Sequence, residues 1–376
     1  MIMKFITLSL VGMLLNLLNN LRLIKRPKPA AINKQQKYPL ISILVPARNE
    51  EKNIEKCLHS LVHQTYPNIE IIVYDDGSTD RTYDITRALA KKYHQIQIIK
   101  GKSLPAEWTG KNYACYQLSL KAKGKWLLFT DADTVHHPET MNAIINLAEQ
   151  EKVDFVSMLP LIISQSWAEK LFMPVIHFAY MTFIPLGLIN KQNDRRLAPA
   201  FGPFMLFRSR FYKKIGGHKA VKSEIVEDLE IAKVTKDNGG KIGFVDGSEL
   251  VKVRFYENFQ QMWRGFSKNS FGAFEHSVPF LVITLILGFF LFIYPYLMLL
   301  DSYFYNSISQ FAILQVGLIS TMRLVLAYRF KSSFLSALLH PIGIGIGYMI
   351  LMNSLYLWLA KGTVAWKERS YVTINK

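Results

Sequence analysis

Carboxylates cluster at three places in the sequence, and each placement has a chemical reading. The first cluster is Asp75-Asp76-Gly77-Ser78-Thr79-Asp80, directly after the apolar run Glu70–Tyr74. Two adjacent carboxylates at a strand end, followed by glycine, make a tight turn whose acceptors suit a uracil N–H or ribose hydroxyls. A simple Asp-Gly turn gives the same pattern. The second is Asp131-Ala132-Asp133, after the strand-like run Trp126–Thr130. Alternate residues of an extended segment point the same way, and one or two carboxylates with phosphate oxygens are what Mg2+ or Mn2+ prefers. Solvated loops also produce Asp-x-Asp. In the third, Glu224, Glu227, Asp228 and Glu230 crowd together. Their repulsion should raise at least one pKa, which suits a general base; the plainer alternative is an acidic helix start favoured by the helix dipole.

Cationic groups complete the set. Trp108-Thr109-Gly110-Lys111-Asn112 lacks the spacing of a phosphate-binding P-loop, which argues against nucleotide hydrolysis. A lysine beside glycine can still approach a phosphate closely, and Lys111 is expected to do so. Gln261-Met262-Trp263-Arg264 offers a guanidinium that matches pyrophosphate by a two-pronged contact, although such a cluster before an apolar stretch also reads as an interfacial anchor. Gly202-Pro203-Phe204 and Gly216-Gly217-His218 read as backbone-exposing turns around an acceptor or sugar pocket, with His218 structural in preference to metal-ligating.

The elements that must position these groups follow from the texture between Pro39 and about Gly247. Short runs rich in β-branched residues (Leu40–Val45, Glu70–Tyr74, Ile96–Ile99, Trp126–Thr130) alternate with helical stretches (Glu51–His63, Thr82–Tyr93). That alternation predicts a parallel, doubly wound α/β sheet, in which ligands bind beyond the carboxyl ends of the strands. The acidic clusters sit at those ends.

Flanking this stretch, the sequence turns apolar. Phe5–Ile24 is near the length that spans a bilayer and is followed by Arg22, Lys25, Arg26, Lys28, Lys34 and Lys37 with no acid among them. The expectation is an uncleaved anchor whose following segment stays cytoplasmic and rests against anionic headgroups. Val278–Leu300, Phe311–Leu326 and Phe334–Ala360 are three further candidate spans. The loop Asp301–Asn306 has no Lys or Arg, and Arg329 and Lys331 flank the next turn, so these should lie outside and inside respectively. Pro341, Gly343, Gly345 and Gly347 are expected to interrupt the last segment. The expected division is a 1–24 anchor, a 25–38 basic linker, a 39–277 catalytic domain, 278–360 membrane helices and a 361–376 basic tail.

Composition bounds the possibilities. The chain has 376 residues, half of them hydrophobic and 13% aromatic, which excludes global disorder. Two cysteines, Cys57 and Cys115, exclude a disulfide scaffold and read as packed residues. A net charge of +17 calls for a polyanionic neighbour, and with positive mean hydropathy the balance leans to a membrane. A nucleic-acid-binding role leaves the carboxylates at strand ends unexplained.

Taken together, the sequence resembles the family 2 glycosyltransferases. The likeness rests on Val45-Pro46-Ala47-Arg48-Asn49-Glu50-Glu51, the Asp75–Asp80 turn, Asp131-Ala132-Asp133, Glu227-Asp228 and Gln261-x-x-Arg264, in the family's order over about Pro39 to Ser270. The family's last motif is Gln-x-x-Arg-Trp, whereas Gly265 follows the Arg here and Trp263 precedes it. The resemblance implies a GT-A-type nucleotide-sugar-binding domain between N- and C-terminal transmembrane helices, at the cell membrane and facing the cytoplasm. It implies that Asp75 and Asp76 hold the uridine of a UDP-sugar and that Asp131 and Asp133 serve a divalent metal (Mg2+ or Mn2+) and the diphosphate. By the same likeness, Asp228, beside Glu227, is the general base of an inverting displacement, and Gln261 and Arg264 hold the diphosphate and the acceptor entrance. Within the family the layout is most similar to membrane transferases acting on lipids. The elements shared are Trp108-x-Gly110-Lys111, Phe201-Gly202-Pro203, Gly216-Gly217-His218 and Trp366-Lys367-x-Arg369-x-Tyr371. That similarity implies glucose transfer to a carotenoid carboxylic acid. Hopanoid, ceramide-like or diacylglycerol acceptors are the alternatives, as is a processive polysaccharide synthase, for which three C-terminal spans look too few.

Overall fold

The computed structural model describes residues 1–32, 37–304, 309–361, 363–366 and 369–372. Lys34 of the basic linker and Lys367 of the tail lie outside them. Along the chain the elements run α1 (Ile2–Leu23), β1 (Ile41–Ala47), α2 (Ile54–Val62), β2 (Ile69–Asp75), α3 (Thr82–Lys92), β3 (Ile96–Lys100), α4 (Gly110–Lys121), β4 (Trp126–Phe129), β5 (Thr134–His136), α5 (Thr140–Gln150) and β6 (Phe155–Ile162). They continue as α6 (Trp167–Phe183), β7 (Met205–Arg208), α7 (Ser209–Lys214), α8 (Glu227–Asp237), β8 (Ile242–Val253), α9 (Phe259–Asn269), α10 (Val278–Phe292) and α11 (Tyr294–Phe304). Last come α12 (Gln310–Arg329), α13 (Phe334–Leu338), α14 (His340–Lys361) and the hairpin β9 (Thr363–Trp366) and β10 (Arg369–Val372).

These elements form two compact units. One comprises Ile24–Ile163 and Leu188–Arg254; the other comprises Met1–Leu23, Ser164–Gly187 and the chain from Phe255 onward. A contiguous 39–277 stretch is therefore not one of them. Ser164–Gly187 and the residues after Arg254 belong with the apolar helices, because α6 is itself largely apolar and finds its partners there.

The first unit is built on an eight-stranded sheet in the order β3-β2-β1-β4-β7-β6-β8-β5. Strands β3, β2, β1 and β4 are mutually parallel, as are β6 and β8, whereas β7 and β5 run antiparallel to their neighbours. The sheet is thus mixed, where the sequence suggested an all-parallel one. Only Thr130–Asp133 separate β4 from β5, far short of the dozen or so residues a parallel crossover needs. Ile41, Ile43, Leu44 and Val45 of β1 and Ile71, Ile72 and Val73 of β2 are all fully buried, as expected of strands covered on both faces. On one side α2 lays down Ile54, Cys57, Leu58 and Leu61, a stripe at helical spacing. Cys57 and Cys115 are free and buried.

The basic linker folds onto this unit. The Lys25 carbonyl accepts from the Asp246 N–H at 2.9 Å, its ammonium pairs with Glu151, and Arg26 lies 3.0 Å from Asp246. Lys25 and Arg26 are therefore paired with the protein's own carboxylates.

Among the described residues, the helical unit has four helical stretches long and apolar enough to cross a membrane: Ile2–Leu23, Val278–Asp301 (α10 and most of α11), Gln310–Arg329 and His340–Ala360. Phe280, Ile283, Ile286 and Leu287 are exposed on one of them, an apolar surface that water does not favour. The asparagines that interrupt α1 are partners for the end of α6. Asn16 donates to the Thr182 carbonyl at 2.9 Å, and Asn20 donates to Met181 (2.9 Å) and Ile184 (2.6 Å) while accepting from the Leu186 N–H at 3.0 Å. These are the carbonyls that a helix end leaves unsatisfied. The final apolar segment, Phe334–Ala360, is divided at Leu339 into α13 and α14, and α14 itself runs on unbroken. Pro341 stands in its first turn, where a missing N–H is tolerated. A Cβ on Gly343 would come within 2.6 Å of the Leu171 carbonyl, and one on Gly347 within 3.2 Å of the Phe172 ring. These glycines let α6 approach closely and do not break α14.

Replacing Asn20 by Leu makes α1 more apolar yet should destabilise the protein. Orphaning the buried Met181 carbonyl and the part-buried Ile184 carbonyl costs about 1–3 kcal/mol. A lower unfolding midpoint in detergent for Asn20→Leu is expected; an unchanged or higher one refutes the assignment.

Candidate active site

The ends of β1 and β2 are laced together. Arg48 donates to the carbonyls of Asp76 (2.5 Å) and Gly77 (3.2 Å). The Asn49 N–H donates to the Ser78 hydroxyl at 3.0 Å, and the Asn49 side chain accepts from the Thr79 N–H at 2.8 Å. Glu50 and Glu51 donate their N–H groups to Thr82 and Asp80 at 2.7 and 3.0 Å. Gly77 at φ +67° supplies the left-handed step of the turn. Asp75 and Asp76 are buried in this lacework, each 3% exposed. Asp75 Oδ1 has no hydrogen-bond partner among the described residues, a buried acceptor that a ligand N–H or hydroxyl would satisfy. Gly101 completes the wall: its N–H donates to the Asp75 carbonyl at 2.7 Å, and a Cβ there would stand 2.4 Å from that oxygen.

Two strand spacings away, roughly 10 Å across the sheet, the chain leaving β4 presents Asp131. The Lys111 ammonium sits 2.7 Å from Asp131 Oδ1 and 2.8 Å from Glu227 Oε1. Burial alone would lower the Lys111 pKa, but Asp131 and Glu227 outweigh it and hold the group well above the usual lysine range. Asp228, next along α8, accepts from the Gly202 N–H at 2.8 Å and from the Leu229 N–H at 2.9 Å. Burial, then the neighbouring Glu227, push its carboxyl up to about 7 against the pull of Lys111. The arrangement supplies one carboxylate poised to take a proton near neutrality beside two that are charge-matched.

Several supports hold this geometry. Lys111 is in the first turn of α4, whose N-cap Thr109 accepts from the Asn112 N–H at 3.4 Å. Asn112, fully buried, donates to the carbonyls of Val221 (2.6 Å) and Glu224 (2.9 Å), fixing the segment that leads into Glu227. The Thr130 hydroxyl donates to the Pro203 carbonyl at 2.8 Å, which ties the Gly202 turn to the end of β4. Thr109, Asn112 and Thr130 carry no catalytic signature in the sequence. The polar residue after Gly110-Lys111 and the threonine before Asp131 are the only hints it offers.

Asp131 and Asp133 are not on one extended face. The segment turns at once, with the Thr134 N–H and hydroxyl donating to the Asp131 carbonyl at 3.3 and 2.8 Å. Asp131 goes to Lys111. The 131–133 link to β5 is too short to stay extended and still reverse direction. Of the acids around α8, Glu227 and Asp228 join the cluster, whereas Glu230 pairs with Lys233 at 2.8 Å. Gln261 and Arg264 lie on α9, in the helical unit. Gln261 Oε1 accepts from the Glu257 N–H at 2.9 Å, and its own N–H goes to the N-cap Asn258 at 2.9 Å; Arg264 is exposed. Gly265 follows Arg264 because the Tyr256 side chain occupies the position of a side chain, its hydroxyl 2.2 Å and its ring 2.4 Å from a Cβ. Gly216-Gly217-His218 is a packing turn, not an open wall. A Cβ on Gly217 would strike the Tyr212 ring at 2.2 Å, and His218 is buried with Nδ1 2.7 Å from the Tyr212 hydroxyl. Burial, then Lys111, push its imidazole down to about 3, so it stays neutral.

At Gly202, a Cβ would stand 3.4 Å from both Asp228 Oδ2 and Lys111 Nζ and 3.8 Å from Asp131 Oδ2. Those are contact distances without a clash. Gly202→Ala should therefore fold normally while filling the space between the charged groups, lowering turnover about tenfold or more with an unchanged unfolding midpoint. Full turnover would show that no reacting group passes there.

Residues 42–216 match the model of glycosyl transferase family 2. Over 340 residues the chain is 29% identical to the 4,4'-diaponeurosporenoate glycosyltransferase of Staphylococcus aureus strain MRSA252, spanning 89% of this chain and 88% of that protein. The protein of the same name from strain USA300 is 28% identical over the same shares. Among solved structures, the mannosyltransferase PcManGT from Pyrobaculum calidifontis, in complex with GDP-Man and Mn2+, superposes with a TM-score of 0.53 at 16% identity, covering 95% of this chain and 99% of that one. That likeness bears on the fold, a GT-A-like mixed sheet with helices. Residues 42–216 are thus similar to glycosyl transferase family 2, and the relatives that match nearly the whole chain are named as glycosyltransferases.

Proposed function

We propose that this enzyme transfers glucose from UDP-glucose to the carboxyl group of a carotenoid acid such as 4,4'-diaponeurosporenoate, at the cytoplasmic face of a membrane that its apolar helices cross. The observation that carries the reading is the convergence of Asp131, Glu227 and Asp228 around Lys111 and the Gly202 N–H, beside the Asp75–Asp76 turn. The acceptor comes from the named relatives, which match nearly the whole chain.

In this reading Asp75 and Asp76 receive the uridine. Asp131 and Asp133 would hold Mg2+ or Mn2+, which when bound offsets the charge of the departing diphosphate. Both are hard oxygen ligands of the kind these ions take, but Asp131 is paired with Lys111 and the chain turns between the two, so phosphate oxygens would have to supply most of the shell. Lys111 pairs with Asp131 and Glu227 and lends a positive charge near the diphosphate. Gln261 and Arg264 serve the diphosphate and the acceptor entrance. The acceptor oxygen attacks the anomeric carbon as the bond to the diphosphate breaks, UDP leaves, and the configuration inverts. An alcohol acceptor must lose its proton, and Asp228 is the base that takes it. A carboxylic acid with a pKa of about 4–5 is already ionised near neutral pH and needs none.

Cells making carotenoid acids should, on expressing the protein, accumulate the acid plus one hexose, with the sugar released by mild alkali as an ester requires. A hexose on another lipid that survives alkali would replace the acceptor; a ladder of sugars would point to a polymerising enzyme.

The two acceptor classes should also differ in pH response. Asp228 works as a base only when deprotonated, so with a hydroxylated lipid the rate should rise as pH passes through about 7. With a carotenoid acid that limb should be absent, and Asp228→Asn should cost far less than the 10²–10⁴-fold typical of losing a general base. Equal losses for both acceptors would remove Asp228 from this role.

A further inference from the structure

At the opposite end of β4 from the carboxylates, Lys123, Lys125, Arg208, Arg210 and Lys213 line a hollow of about 450 Å3. It forms where β4 begins and β7 ends, at the Trp126–Arg208 pairing. Lys125 and Asp131 are roughly 15–20 Å apart along the extended chain, so this hollow is separate from the donor site.

Two acids reach its lining. Glu149 takes Lys125 at 3.0 Å and Arg208 at 3.4 Å, and the buried Glu70 accepts from the Lys123 backbone N–H at 2.8 Å and the Ser42 hydroxyl at 2.6 Å. Lys123, Arg210 and Lys213 have no ion pair among the described residues. Five cations facing two carboxylates in one concavity repel each other, a cost that a bound anion relieves. Arg208 is also fixed in place. Its guanidinium lies 4.4 Å from the centre of the Trp126 ring and its side chain is only 12% exposed. A guanidinium fixed in this way presents its donors as a ready fork, the geometry that suits phosphate oxygens.

We propose that this hollow is a second anion site, for a phosphate group and distinct from the site of the sugar donor. A free phosphate and a phospholipid headgroup share that chemistry. The test uses the full chain in neutral detergent with saturating UDP, following the unfolding midpoint against inorganic phosphate at constant ionic strength. A parallel series uses micelles doped with short-chain phosphatidylglycerol. Wild type should be stabilised by one or both. In Arg210→Ala/Lys213→Ala, whose side chains are exposed, the concentration giving half the effect should rise at least about tenfold, the change expected from losing charge-assisted contacts. The shift caused by UDP itself should be unchanged, and Arg210→Lys/Lys213→Arg should respond like wild type. A response to phosphate assigns a free anion, and one to phosphatidylglycerol alone assigns a headgroup. If wild type and the double alanine variant respond alike, or neither anion stabilises wild type, the proposal is overturned.

Discussion

Carboxylates from two distant segments meet at the Lys111 ammonium, and the catalytic unit is organised around keeping them there. Asp131, Glu227 and Asp228 would repel strongly in a partly buried setting were the cation not 2.7 and 2.8 Å from the first two. Lys111 in turn stays put because α4 starts where it does, capped by Thr109 and pinned to the 221–224 segment by Asn112. The short run Thr109-Gly110-Lys111-Asn112 thus sets the electrostatics of two other segments. It also decides which acid is left over. Burial and the neighbouring Glu227 raise the proton affinity of Asp228, while Asp131 and Glu227 are paired with the ammonium.

What the sequence made legible is what apolar periodicity and short acidic motifs encode. The strands preceding Asp75 and Asp131, the amphipathic α2 and the four apolar helices can all be read from residue order. Several features cannot. The antiparallel β5 depends on the shortness of the link after β4, and nothing in its three residues announces its direction. The Asp131–Asp133 pair reads as one face only if the strand continues, whereas the chain turns immediately. The Gly202 N–H that meets Asp228 is a backbone donor, and backbone donors have no residue signature.

Polar and small residues inside the apolar helices weaken the very signal that identifies such helices. Asn16 and Asn20 are polar positions within an otherwise apolar run, yet they satisfy carbonyls at the end of α6. Gly343 and Gly347 read as breakers but are the points of closest approach to that helix. In both cases the meaning lies in α6, which is distant in sequence and resembles an ordinary core helix in composition.

The chain order of the helical unit bears on how the protein is made and how it can be dissected. α6 emerges between two strands of the sheet, long before α12 and α14 are synthesised, so α1 is the only helix of its own unit already complete to receive it. A newborn chain must therefore hold a half-partnered apolar segment while β7 and β8 are still to come, the situation in which aggregation competes with folding. For the same reason, trimming both apolar ends would not release a water-soluble catalytic piece. Trp167–Phe183 would remain in the middle of the fragment, stripped of the asparagines and glycines that accommodate it, and the excised protein would carry its own sticky insertion.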